Sequence, residues 1–493
     1  MAALKYVTCL CLCASISAMS VMIDTTRVIH VTSDKFVSAA LDQMLLNDTP
    51  QFQTWDFNSP RLLTLLKGFA PTYLRFGGTP ADWTVYSDAT TNMTKRLHTN
   101  PALLTMSSKQ WESMLTLTKK AGIRYLHDFN LQLRYGTQWD PTNTIAVIKH
   151  IRSKGLGDNL DFELGNEPGQ YRPSGGRITL SGTQIGKDYL MLKKIMNDYP
   201  EFNKSILIGP ESVSGIQNPS GAKLVRDFVE TAGSAITAMT FHHYYFYGPT
   251  ATVKDFINPK YFSNLETGIK KAFDIVKNTS YPNMAVWIGE TSNCWGSGAP
   301  NISDRYADGF LWLEKLGLSA QMGIGVIVRQ TFYGYAYNLI SNDLYPNPTY
   351  WLCYVFKQLV GTKVLKVNEM TTSNGLVRVY AHCTNLRSSS GKSMYKPGAV
   401  TLYALSVSQN ETTFINFRQY LGYVVDKYIL TPGNSDGLLS RYMALNGQKL
   451  ALIDDNTLPS VTPKREQFFS NVEIPALSFG FWVFPNANAE ACV

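Results

Sequence analysis

Eight short runs rich in β-branched and aromatic residues recur between residues 28 and 332, with helix-length stretches between them. They are "VIHVTS" (28–33), "TYLRFGG" (72–78), "IRYLHDF" (123–129), "LDFELGN" (160–166), "SILIGPE" (205–211), "AMTFHHYY" (238–245), "MAVWIGETS" (284–292) and "GIGVIVRQTF" (323–332). The gaps hold amphipathic segments such as "KQWESMLTLTKKAG" (109–122) and "DRYADGFLWLEKLGLSAQ" (304–321), whose apolar residues repeat at helical spacing. Strand and helix alternating eight times predicts an α/β fold, a (β/α)8 TIM barrel over residues 28–355, rather than an open sheet. Such a barrel carries its chemistry at the C-terminal ends of its strands.

Beyond residue 355 the texture changes. "LVRVYAHCT", "AVTLYALSVS", "ETTFINFR", "VDKYILTP" and "LSFGFWVF" alternate apolar and polar residues, and turns such as "TPGNSDG" (431–437) separate them. This predicts a C-terminal β-sandwich over residues 356–493, with residues 20–28 available to contribute.

The predicted barrel-strand ends are unusually polar: Gly77–Gly78–Thr79, His127–Asp128, Asn166–Glu167, Glu211, His242–His243–Tyr244, Glu290 and Arg329–Gln330. Taken alone, Asn166–Glu167–Pro168 has two readings. Asn is a good helix N-cap and Pro suits a first turn, so the motif can simply start a helix. Alternatively Glu167 stands at the barrel mouth and does chemistry. The convergence of acids and amides on the other strand ends favours the second. Glu167 after strand four and Glu290 after "VWIG" on strand seven then form the carboxylate pair of a barrel glycosidase. A retaining hydrolase needs one protonated carboxyl as acid/base and one ionised carboxylate as nucleophile. Tyr244 is placed to hydrogen-bond the nucleophile.

Other chemistries find no matching pattern. The seven histidines lack metal-ligand spacing, so no metal and no cofactor is expected. Adjacent His242 and His243 point to opposite faces of a strand, so at most one faces the cleft. There is no G-x-S-x-G elbow, P-loop or strand-linked GxGxxG. A formal charge of +8 is scattered, which suits a polyanion weakly and gives no nucleic-acid signature. Residues 1–18, with Lys5, an apolar run and small residues near Ala18, read as a secretory leader cut near Ala18 or Ser20. Sequons at Asn47, Asn92, Asn203, Asn278, Asn301 and Asn410 fit a secreted glycoprotein. Cys294, Cys353, Cys383 and Cys492 follow the leader, an even count for an oxidising compartment, and a disulfide at Cys294 is the expectation.

The segments "PTYLRFGGT", "FELGNEP", "FHHYY", "WIGETS", "GAPNISDRYADGFLWLEKLGLSAQMGI", "VRQTFYG", "FKQLVGTKVL", "AHCTN" and the terminal "ACV" together resemble glycoside hydrolase family 79, the heparanase family. The resemblance runs from about residue 28 to the C-terminus. It implies a retaining endo-β-glucuronidase acting on heparan sulfate, with Glu167 as acid/base and Glu290 as nucleophile. It implies that Asp34, Thr79, Asn166, Tyr244, Gln330 and Tyr337 line the sugar subsite. Backbone N–H groups of Gly296 and Ser297 would hold the uronate carboxylate, and Cys383 would pair with Cys492. The implied partner is heparan sulfate or a related glucuronic-acid polysaccharide. The chain would be secreted or lysosomal, a single-chain monomer that meets membranes only through proteoglycans. Three departures stand out. The loop after strand five, "SVSGIQNPSGAK" (212–223), carries only Lys223 as a cation, and Pro249 stands where an arginine is expected. The long segment excised from family members on maturation is missing, so the chain should work uncut. Two rivals remain: glucuronidase action on a less sulfated or terminal glucuronate substrate, and a non-catalytic heparan-sulfate-binding relative.

Overall fold

A computed structural model describes residues 18–48, 56–87, 104–172, 177–212, 214–370, 375–387 and 394–493. Residues 1–17 of the expected leader, the sequon at Asn92 and Lys95–Arg96, a basic pair that reads as a candidate protease site, lie outside the described residues.

Eight parallel strands form a ring: Val37–Asp42, Tyr73–Gly77, Arg124–Phe129, Leu160–Leu164, Ile208–Ser212, Ala238–His243, Ala285–Thr291 and Ile327–Arg329. Each pairs with its neighbours in chain order, and the eighth pairs with the first. A parallel bridge from Phe162 to Leu207 closes the fourth strand on the fifth. The protein is thus a TIM barrel. Helices such as Ser108–Ala121 wrap it, fixed at the start by a Ser107–Gln110 capping box and at the end by Gly122 in the left-handed region.

The first barrel strand departs from expectation. Residues 28–31 belong to the long strand Ala18–Val31, which pairs antiparallel with Val360–Glu369 in the sandwich; Met19, Val21 and Ile23 enter the sandwich core. The first barrel strand is instead Val37–Asp42, "VSAALD", buried at every residue. A strand covered on both faces shows no alternation, and its small residues fit the crowded barrel interior.

The C-terminal sheet includes Val360–Glu369, Val377–Thr384, Val400–Ser406, Val424–Pro432 and Ser478–Phe484. Helix Asp308–Gln321 is buried nearly all round, because barrel and sandwich cover opposite sides of it. On the sandwich side its Glu314 accepts from Tyr380 Oη at 2.6 Å. Cys383 and Cys492 form a disulfide that ties the C-terminal turn to the sandwich. Cys294 and Cys353 do not pair. Each is a buried thiol with a local partner, Asn293 Oδ1 at 2.8 Å for Cys294 and Trp312 Nε1 at 3.0 Å for Cys353, which corrects the disulfide expected at Cys294. No helix among the described residues is long and apolar enough to cross a membrane.

Candidate active site

Glu167 follows the fourth strand in the left-handed region, with φ of 51°. That conformation costs a non-glycine residue of order 1–3 kcal/mol, so its surroundings must hold it there. They do: the Glu167 N–H donates to Glu211 O at 3.0 Å, tying it to the end of strand five. Glu290 lies inside strand seven. The preceding Gly289 has a steric reason, since a Cβ there would fall 2.4 Å from both Glu211 carboxylate oxygens. Buried Lys315 donates to Thr291 Oγ1 at 2.5 Å and Ser292 O at 2.6 Å, holding the end of strand seven against the sandwich-facing helix.

One oxygen of Glu167 and one of Glu290 lie within 4.8 Å of each other. Tyr244 Oη donates to Glu290 Oε1 at 2.7 Å, and Arg75 Nη1 donates to Glu290 Oε2 at 2.8 Å. His242 stands between the two acids. Its Nδ1 is 2.9 Å from Glu167 Oε1 and 3.8 Å from Glu290 Oε1, while Nε2 is 2.8 Å from Glu211 Oε2. Burial would lower its pKa, but Glu290, Glu167 and Glu211 outweigh burial and bring it up to about 10. His242 is therefore an imidazolium at neutral pH. His243 points the other way, neutral and packed edge-on to Tyr245.

Beneath the pair, Arg75 has no solvent exposure. It reaches Glu163 at 2.7 Å, Asn166 Oδ1 at 2.9 Å, and Asp128 and Glu211 at 3.4 Å. Burial pushes Glu163 up to about 8 and Asp128 well above the carboxylate range, with Arg75 pulling both back. Burial pushes Glu211 up too, but Arg75 and His242 overcome it and hold it low.

Most of the residues expected in the site do gather here. Asn166, Tyr244, Gln330 and Tyr337 lie at the mouth or just below it, and Thr79 is exposed directly after strand two. Gly296 and Ser297 form a left-handed turn after strand seven, and Ser297 O accepts from Ala336 N at 3.0 Å, which ties that turn to the segment carrying Tyr337. Asp34 does not belong. It precedes strand one, at the opposite end of the barrel, and pairs in the open with Lys35 and Arg387. Its place is taken by Asp42 at the C-terminal end of that strand, whose Oδ2 accepts from Gln330 Nε2 at 3.0 Å. Burial raises Asp42 to about 7. Asp34 was expected from the family resemblance, and its displacement parallels that of strand one, expected at residues 28–33 and found at Val37–Asp42. Arg75 was missed too; its only signal was a charge inside the apolar run "YLRFGG".

Glu167, His242 and Glu290 are close enough to suggest a cation site, but their chemistry does not fit one. The His242 ring is committed on both nitrogens as a cation, and Arg75 already neutralises Glu290.

Residues 18–317 match the model of glycosyl hydrolase family 79, N-terminal domain. The chain belongs to glycoside hydrolase family 79. The family 79 chain is 35% identical over 500 residues to a hyaluronoglucuronidase of Hirudo nipponia, covering 96% of this chain and 99% of that protein. It is 34% identical over 513 residues to the heparanase of Bos taurus, covering 95% and 92%. A 4-O-α-L-rhamnosyl-β-D-glucuronidase from Fusarium oxysporum superposes with a TM-score of 0.63 at 16% identity, covering 94% of this chain and all of that one, which shows a common fold. The protein is a glycoside hydrolase.

Proposed function

We propose that this family 79 hydrolase is a retaining endo-β-glucuronidase that cleaves glucuronic acid linkages inside heparan sulfate chains. The observation that carries it is the approach of Glu167 and Glu290 to within 4.8 Å. Retaining enzymes hold their carboxyl groups about 5–5.5 Å apart and inverting enzymes about 6.5–9.5 Å apart. Glu290 attacks the anomeric carbon, and its C–O bond forms as the glycosidic C–O bond breaks. Glu167 gives its proton to the departing oxygen, then takes one from the water that releases the sugar. The Glu167 side chain is 22% exposed and that of Glu290 10%, so the acid/base sits nearer the solvent that supplies the water. Gly296, Ser297 and Tyr337 hold the uronate carboxylate through backbone dipoles. Asp42, Thr79, Asn166 and Gln330 line the same sugar.

A second reading, the same chemistry on a less sulfated polymer, is favoured by the loop after strand five. Its one cation, Lys223, is turned to Asp227 at 2.5 Å, and Pro249 carries no charge. The deciding experiment incubates the protein, Glu167→Gln and Glu290→Gln with heparan sulfate, hyaluronan and an aryl β-glucuronide at acidic and neutral pH, and sizes the products. Both variants should be inactive and folded, and azide should restore Glu290→Ala as an external nucleophile. Normal turnover by either amide variant overturns the assignment.

The same reading sends the chain through the secretory route by its leader, to the extracellular matrix or the lysosome, as an uncut monomer tethered to membranes only through proteoglycans. Exposed Asn203, Asn278, Asn301 and Asn410 support glycan attachment there, with Asn47 and Asn92 as further acceptors. N-terminal sequencing and the mass lost on deglycosylation test this route.

A further inference from the structure

Just beyond Tyr244 and Glu290, two short strands pair in parallel: Phe246–Tyr247 and Cys294–Trp295. Their alternation sorts the side chains. Phe246 packs against Phe256 and Tyr261, and Cys294 is fully buried. Tyr247 and Trp295 point the other way and are 42% and 54% exposed. Their rings lie 4.4 Å apart at 40°. The turn that follows is shaped around them: a Cβ on Gly296 would fall 2.6 Å from the Tyr247 ring and 3.1 Å from Pro249. Two large apolar rings are thus held toward water on a rigid ladder at the rim of the active site.

We propose that Tyr247 and Trp295 form a stacking subsite for the sugar on the non-reducing side of the glucuronate being cleaved, a hexosamine ring without sulfate on its stacked face. The inference rests on the glucuronidase reading above. In a glucuronate ring the C5 carboxylate and the O4 linkage sit on neighbouring carbons. A turn at Gly296–Ser297 that holds the carboxylate therefore has the chain leaving O4 beside it, and Trp295 directly adjoins that turn. In a glucuronic acid glycosaminoglycan the 4-linked neighbour is a hexosamine, whose C–H face suits an aromatic platform. A sulfate on that face would set an anion against the electron-rich ring faces. A subsite on this side serves a polymer and has no use for a terminal glucuronate, which gives the platform a role in internal cleavage.

The test compares Trp295→Ala, Tyr247→Ala and the double variant on two substrates: heparosan, an unsulfated glucuronic acid–N-acetylglucosamine polymer, and an aryl β-glucuronide with nothing on its O4. For the double variant KM on heparosan should rise roughly tenfold or more with kcat within about twofold. The aryl glucuronide kcat/KM should stay within about twofold, which also shows the variant is folded, and Trp295→Phe should recover most of the loss. Unchanged KM on heparosan, or an equal loss on both substrates, overturns the platform. If the unmodified protein cleaves neither substrate, the glucuronidase reading fails separately. The platform is then judged by titrating a heparosan hexasaccharide into Glu290→Gln with and without Trp295→Ala: weaker binding without the indole supports it and equal binding refutes it.

Discussion

Replacing Arg75 by Gln removes the one guanidinium that five side chains share. Glu163 and Glu290 lose bonds of 2.7 and 2.8 Å, Asn166 loses one of 2.9 Å, and Asp128 and Glu211 lose a cation at 3.4 Å. Glu163, Asp128 and Glu211 cannot turn to bulk water, because all three are essentially unexposed. Breaking a buried ion pair by removing one partner costs about 3–5 kcal/mol, since the remaining charge stays buried. We expect a loss of that size in guanidinium unfolding at pH 7. The loss should depend on pH in a definite direction. Arg75 lowers the acids around it relative to burial alone, so its contribution is present where they are ionised and disappears as they protonate. The gap between the protein and Arg75→Gln should therefore be widest above about 8, where Glu163 ionises, and close as the pH falls through the range of Glu211 below 4.5. A loss below about 1 kcal/mol at pH 7, or a gap that widens in acid, would refute the account.

Tyr244→Phe takes away the hydroxyl 2.7 Å from Glu290 Oε1; a hydrogen bond to a charged group contributes about 1.5–3 kcal/mol, so kcat/KM on an aryl glucuronide should fall roughly 10- to 150-fold with little change in unfolding midpoint, and an unchanged rate refutes it. His242 is raised to about 10, so the stability it contributes is complete below 6.5 and is lost as the pH rises toward 10; the unfolding midpoint should decline across that window, and His242→Gln should flatten the decline. Cys383 and Cys492 are 109 residues apart, and in the chain-entropy model a loop of that length stabilises by about 5 kcal/mol; the double Ser variant should lose most of that in denaturant, and a free thiol at Cys492 in unreduced peptide maps would contradict the pairing.

Strands two to eight could be read directly because each is a β-branched or aromatic run, and the polar residues at their ends, two glutamates above all, marked the site. Strand one could not, because "VSAALD" owes its place to small side chains in a crowded barrel rather than to intrinsic strand preference. The more β-like "VIHV" went to the sandwich, where half-exposed alternation suits it. The aspartate expected from the resemblance shows the same offset: Asp34 lies at the wrong end of the barrel and Asp42 closes the true first strand. Arg75 was illegible for a different reason. A charge within an apolar run normally marks a solvated face, and only the assembled ring shows that this one is surrounded by acids from strands three, four, five and seven. The pairing expected at Cys294 failed because both remaining thiols already have polar partners within the core.

The charges around the acid pair explain how such a buried cluster can carry out the proposed reaction. Arg75 and His242 supply two positive charges. Of the acids they touch, burial raises Glu163 to about 8 and pushes Asp128 upward, while Arg75 and His242 hold Glu211 low. The proposed reaction starts with a proton on Glu167 and a negative charge on Glu290. Attack by Glu290 turns its carboxylate into an ester, and the same step takes the proton from Glu167. One negative charge has disappeared and another has appeared, so the net charge of the cluster is unchanged by the step. The shift is short, because His242 Nδ1 lies 2.9 Å from Glu167 and 3.8 Å from Glu290 and faces whichever acid is charged. Its other nitrogen is held by Glu211, which stays ionised throughout and keeps the ring cationic and in place.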